Sequence, residues 1–96
     1  MLYPKPDNPE SFDRHYREVH IPLAKKLPGL RRYTVSRGSG RVRGGDPYYL
    51  VAELDWDDRE SMQLAFQSPE GKAASEDVPT FAPDGTLSMV FDVEDV

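Results

Sequence analysis

Ninety-six residues, 38% of them hydrophobic, make one small domain spanning residues 1–96; it buries only about two-thirds of its unfolded surface, which leaves a lone monomer marginal. Seventeen acids against 12 bases give a formal net charge of −5, which argues against nucleic acid as a partner, because phosphate binding needs a positive surface. No apolar run approaches the roughly 20 residues that cross a bilayer, and the amino end lacks the apolar core of a secretory signal, so the expected location is cytoplasmic, with no membrane partner.

In chain order, Met1-Leu2-Tyr3 reads as the tail of a short strand. Asn8-Pro9 supplies an N-cap followed by proline at the first helical position, where a missing N–H costs nothing. Phe12, Tyr16, Val19, Leu23 and Leu27 then recur as one apolar stripe. Pro22 interrupts that helix and predicts a kink or restart near His20-Ile21. Pro28-Gly29 ends the segment. The alternating run Arg31 to Arg37 reads as a second strand and Tyr48 to Trp56 as a third, with Glu53 and Asp55 across a hairpin from the arginines. That pairing accounts for the uneven charge, ten bases and four acids in residues 1–45 against two bases and thirteen acids thereafter. Asp57-Asp58-Arg59-Glu60 is a capping-box pattern that opens a helix burying Met62, Ala65 and Phe66. Ser68-Pro69 starts another, running to Pro79. A last strand is expected over Thr86 to Glu94, with Leu87, Met89, Phe91 and Val93 on one face.

This order, βαββαβ, builds an α+β ferredoxin-like domain: a four-stranded antiparallel sheet with helices on one face. In the third strand Leu50, Ala52 and Leu54 face one side, while Tyr49 and Val51 make the other side apolar too. A second subunit covering the open face resolves that conflict, so a homodimer is expected.

The segment Phe12-Asp13-Arg14-His15-Tyr16-Arg17-Glu18-Val19-His20-Ile21-Pro22-Leu23-Ala24, continued by Pro28-Gly29-Leu30-Arg31-Arg32-Tyr33, resembles the EthD family of dimeric α+β-barrel proteins. Pro47 to Leu54, the Ser68-Pro69-Glu70-Gly71 turn and the Phe81 region fit as well, so the likeness covers nearly the whole chain. It departs from the pattern at the amino end, where the first strand is clipped. The resemblance implies a ferredoxin-like protomer whose sheet packs on a partner's sheet to close a dimeric α+β barrel. Families of this architecture include polyketide dehydratases and decarboxylases, muconolactone isomerases and cofactor-free monooxygenases. Fold alone does not choose among them.

The residues themselves narrow the chemistry. Zero cysteines exclude a disulfide framework, a thiolate nucleophile and Cys-ligated zinc. His15 and His20 are the only histidines, so acid–base chemistry near neutral pH has few candidates, and five residues of α-helix set them about 140° apart. No metal site and no cofactor is therefore expected. The glycine- and arginine-rich run Gly38 to Gly45 opens no helix, so it is neither a dinucleotide fingerprint nor a P-loop. His20, beside the proline, can either cap loosened backbone or reach a cavity between helix and sheet; His15 reads as a surface residue. By the resemblance, Tyr33 on the second strand points into the same cavity. The candidate catalytic residues are thus His20 and Tyr33. They suit an enzyme that works by acid–base chemistry, without a cofactor, on a hydrophobic oxygenated small molecule of polyketide-like or aromatic kind. The alternative is a non-catalytic small-molecule-binding or accessory protein using the same cavity.

Overall fold

The computed structural model describes all of residues 1–96. Its elements are β1 (Leu2–Tyr3), α1 (Pro9–His15), a π-helical turn (Tyr16–His20), α2 (Ile21–Ala24), β2 (Arg32–Val35), β3 (Leu50–Asp55), α3 (Arg59–Gln67) and α4 (Pro69–Phe81). The strands form an antiparallel sheet in the order β1-β3-β2. Tyr3 lies opposite Leu50, Val35 opposite Ala52 and Tyr33 opposite Leu54. These six side chains share the sheet face that packs against the helices.

The first helical segment starts as its sequence dictates. The Asn8 side chain accepts a hydrogen bond from the Ser11 amide at 3.1 Å, and Pro9 takes the first turn. The expected disturbance at Pro22 is also present, as a wide turn that closes on the Ile21 amide donating to the Tyr16 carbonyl five residues back. Proline has no N–H for the Glu18 carbonyl, and its ring would collide with that carbonyl in a regular helix. Widening the preceding turn is a low-cost way to carry the helix past it.

The wide turn shifts the buried stripe by one residue. Phe12 and Tyr16 are buried as expected, but the row continues through His20, Ala24 and Leu27 rather than through Val19 and Leu23. Val19 is 40% exposed.

Four further expectations are corrected. The fourth strand reduces to one bridge between Leu2 and Leu87, made on the two-residue strand β1. The capping side chain of α3 is Asp58, accepting from the Ser61 amide at 2.7 Å, one residue later than the box pattern suggests. Helix α4 runs through Pro79 to Phe81; the carbonyl freed by the proline belongs to Ser75, which is exposed and can be hydrated. Tyr49 turns toward the helices, its ring 5.7 Å from Phe12 and its hydroxyl donating to the Asp13 carboxylate at 3.0 Å. The open face of the sheet is therefore apolar through Leu2, Val51 and Leu87, not through Tyr49.

Opposite charges do meet across the hairpin, with Arg32 directly opposite Asp55. The Arg59 guanidinium reaches the Asp92 carboxylate at 3.2 Å, holding the carboxyl-terminal segment near α3. Helices α3 and α4 approach most closely at Gly71, where an added Cβ would lie 2.2 Å from the Ala65 carbonyl oxygen. The backbone leaves no room for even a methyl group. Gly71→Ala should lower unfolding free energy by about 1–3 kcal/mol, the usual range for overpacking, read from urea denaturation. An unchanged midpoint would show that the two helices can slide apart.

Candidate functional site

Helix α4 buries Gly71 and Ala74 and brings Asp77 and Phe81 to the same side, facing the wide turn. A carboxylate on that stripe needs donors, since an unpaired buried charge is costly. Both histidines supply them. His15 Nε2 lies 2.9 Å from Asp77 Oδ1, and His20 Nδ1 lies 3.0 Å from Asp77 Oδ2. The Thr80 hydroxyl adds a third contact at 3.2 Å. The two imidazoles meet one carboxylate because the wide turn rotates less per residue than an α-helix, bringing residues five apart nearly into line. His15 is thus half-buried and bound rather than a free surface residue, which corrects the sequence expectation.

An ionised carboxylate only accepts hydrogen bonds, so each imidazole must present an N–H to it. For His20 this fixes the proton on Nδ1 and leaves the Nε2 lone pair unspent, the tautomer a general base requires. Burial holds the His20 ring below its ordinary pKa, outweighing the Asp77 hydrogen bond and charge that favour protonation. The ring is neutral at neutral pH. For Asp77, burial works against ionisation, but the bonds from His15, His20 and Thr80 prevail and hold its carboxyl below the usual range.

Aromatic rings enclose this cluster. Phe81 lies 4.9 Å from both imidazoles, centre to centre, and Tyr16 lies 5.3 Å from His20. The Tyr16 hydroxyl meets the Tyr33 hydroxyl at 2.7 Å, so the strand tyrosine singled out by sequence does reach the helix wall beside His20. One of the two donates to the other, which leaves one hydroxyl hydrogen unspent. Burial raises both phenols' pKa values, keeping them protonated donors at neutral pH. Tyr3 is 0% exposed and its hydroxyl has no partner. Burial raises its pKa too, with smaller contributions from Tyr33 and Asp77.

Sequence reasoning named His20 and Tyr33 but missed Asp77, Tyr16 and Tyr3. The available signal for Asp77 was an acid three residues beyond Ala74 on the buried face of α4. No group of three or more His, Asp or Glu side chains is arranged to hold a metal ion. An open cleft of about 660 Å³ is lined by Tyr16 but by neither His20 nor Tyr33.

Residues 6–85 match the sequence profile of the EthD domain. The chain is 31% identical over 96 residues to an uncharacterized 11.0 kDa protein encoded in the thcB-thcC intergenic region of Rhodococcus erythropolis, covering 100% of this chain and 93% of that one. It is 43% identical to an EthD family protein of known crystal structure from Bacillus halodurans, with a TM-score of 0.77 over 84% of this chain and 81% of the other. No helix is long and apolar enough to cross a membrane.

The lowered pKa values have one consequence for stability. The unfolded chain protonates a histidine near pH 6.5, before folded His20 does, so stability falls as pH drops below about 6.5. The Asp77 contribution is present above the usual carboxylate range and is lost as pH falls through its lowered folded value. Both act in the same direction. Urea unfolding between about pH 5 and pH 7 should show a slope that His20→Asn flattens, and the His20 ring protons should titrate below about 6.5 by NMR. A His20 titration above that value would invert the burial argument.

Proposed function

The chain belongs to the EthD family, and from that premise we propose that it is a cofactor-independent enzyme moving a proton on a hydrophobic oxygenated small molecule. The observation that carries this reading is the fixed tautomer of His20, held by Asp77 at 3.0 Å with the ring packed beside the Tyr16–Tyr33 hydroxyl pair. In this reading His20 Nε2 takes a proton from the substrate, and Asp77 stabilises the imidazolium that forms. The free hydrogen of the tyrosine pair donates to the substrate oxygen on which negative charge develops. The proton then returns from Nε2 to a second substrate atom or to a leaving group. In a nearly dry site a donor aimed at the developing charge acts on it more strongly than the same donor would in water.

A second reading, a non-catalytic binder of the same class of molecule, is favoured by one observation: His20 does not line the open cleft. The two readings separate in one assay. Native mass spectrometry against pooled aromatic and polyketide-like metabolites identifies retained ligands, and turnover is then followed on those. The catalytic reading expects His20→Ala to lower kcat about a hundredfold with the fold intact by circular dichroism. Tyr33→Phe lowers rate or binding without loss of stability. Activity should fall on acidification with an apparent pKa at or below about 6.5. Retention without turnover leaves the binder; a lowered melting temperature with unchanged specific activity makes His20 structural.

The proposal extends to a single 1–96 domain acting as a homodimer, its barrel completed by a second copy. Support comes from the uncovered sheet face carrying Leu2, Val51 and Leu87, and from exposed Met89, Val90, Phe91 and Val93 on the unpaired carboxyl-terminal segment. Burial of that surface stabilises the assembly by about 25 cal/mol per Å² of apolar area. Light scattering at micromolar concentration should give about twice the 10.9 kDa chain mass. A stably folded monomer there would exclude it.

A further inference from the structure

The open cleft of about 660 Å³ is a different place from the His20–Asp77 pair and shares with it only Tyr16. Three elements converge on it with bases: Lys5 after β1, Arg17 in the wide turn and Arg37 after β2. None of the three makes an ion pair; the molecule's four pairs involve His15, His20, Arg31 and Arg59 instead. The one acid on the cleft wall, Asp13, already accepts the Tyr49 hydroxyl at 3.0 Å. In a chain of net charge −5, acids are in excess, so three unpaired bases around one concavity do not follow from composition. Low-dielectric walls focus such a field outward from the cleft.

The floor of the cleft is different in kind. Tyr16, Tyr48 and buried Leu50 line it with ring and aliphatic surface. A volume of this size is in the usual range for a small organic ligand. We propose that this cleft binds a small organic acid, its carboxylate held by Arg17, Arg37 and Lys5 and its apolar body seated on Tyr16, Tyr48 and Leu50. The guanidinium fork suits a planar carboxylate, which it can meet with two parallel hydrogen bonds. Arg17 also acts on the tyrosine hydroxyls, its charge favouring ionisation of both Tyr16 and Tyr33 against the effect of burial. A bound carboxylate therefore lies next to the tyrosine pair. The inference goes beyond the proton-transfer reading and asks nothing of His20.

The test uses the full chain, isothermal titration calorimetry at low salt, and two probes of one shape: 2-naphthoate and the uncharged 2-naphthamide. Naphthoate should bind saturably and naphthamide about tenfold more weakly or worse. Arg17→Gln and Arg37→Gln should each weaken naphthoate about tenfold and leave naphthamide unchanged. Both side chains are exposed, so folding survives the change. Backbone amides of Ser36 to Ser39 should shift on naphthoate addition, and sodium chloride should weaken naphthoate alone. Arg41→Gln and Arg43→Gln, outside the cleft, serve as controls that change nothing. His20→Ala should bind naphthoate normally, so failure of the catalytic reading and failure of this one are distinguishable. Equal affinity for the two probes, no saturable naphthoate binding, or indifference to both arginine substitutions would overturn the assignment. So would displacement of naphthoate by an equal concentration of inorganic phosphate, which marks a site for bare anions.

Discussion

Pro22 is the residue on which the rest of the arrangement depends. It cannot donate to the Glu18 carbonyl, and its ring cannot share space with that carbonyl in a regular helix. The helix answers with a turn closed five residues apart, from Ile21 to Tyr16, and continues as α2. One additional residue is thereby absorbed between two helical faces that both point at the sheet. His20 occupies the row in which a regular helix would have put Val19, and His15 stands one wide turn before it. Two imidazoles that a regular helix would splay apart converge on a single carboxylate.

What keeps that carboxylate ionised is a balance between two opposing effects. Burial favours the neutral acid, and donated hydrogen bonds favour the anion. Three donors from three side chains decide it at Asp77. At His20 the balance goes the other way: one carboxylate contact does not offset enclosure by Phe81 and Tyr16, and the ring stays neutral. Adjacent groups thus settle as a fixed anion and an unprotonated base, the separation of roles that acid–base sites use. Tyr3 shows how dry the surroundings are, for its hydroxyl is fully buried without a partner.

Much of this was legible from residues alone, and the failures share a cause. The N-cap at Asn8, the break at Pro22, the two hairpin strands and the apolar face of Leu50, Ala52 and Leu54 follow from local chemistry, and local chemistry is what a sequence displays. The angle between His15 and His20 was misjudged because a constant 100° per residue was carried across a proline. Asp77 escaped notice because its importance rests on partners some sixty residues away. The last strand has the right alternation at Leu87, Met89, Phe91 and Val93, yet alternation specifies a strand only where an edge exists to receive it. Tyr33 was found through resemblance; its actual partner, the Tyr16 hydroxyl, sits on the stripe that periodicity had assigned to packing alone.

The unpaired carboxyl-terminal segment also bears on how the chain avoids its own kind in the wrong arrangement. A run outside helix and sheet, with Phe91 62% exposed, is a template for indiscriminate strand pairing. Asp92, Glu94 and Asp95 are interleaved with Phe91, Val93 and Val96, so any in-register stack of such tails would bring like charges together at strand spacing. The acids act as gatekeepers: they tolerate one partner that supplies compensating bases, as Arg59 does for Asp92, and penalise a growing row of identical copies. The acids near the carboxyl terminus thereby place charge between the side chains of an exposed apolar run, where like copies would otherwise stack.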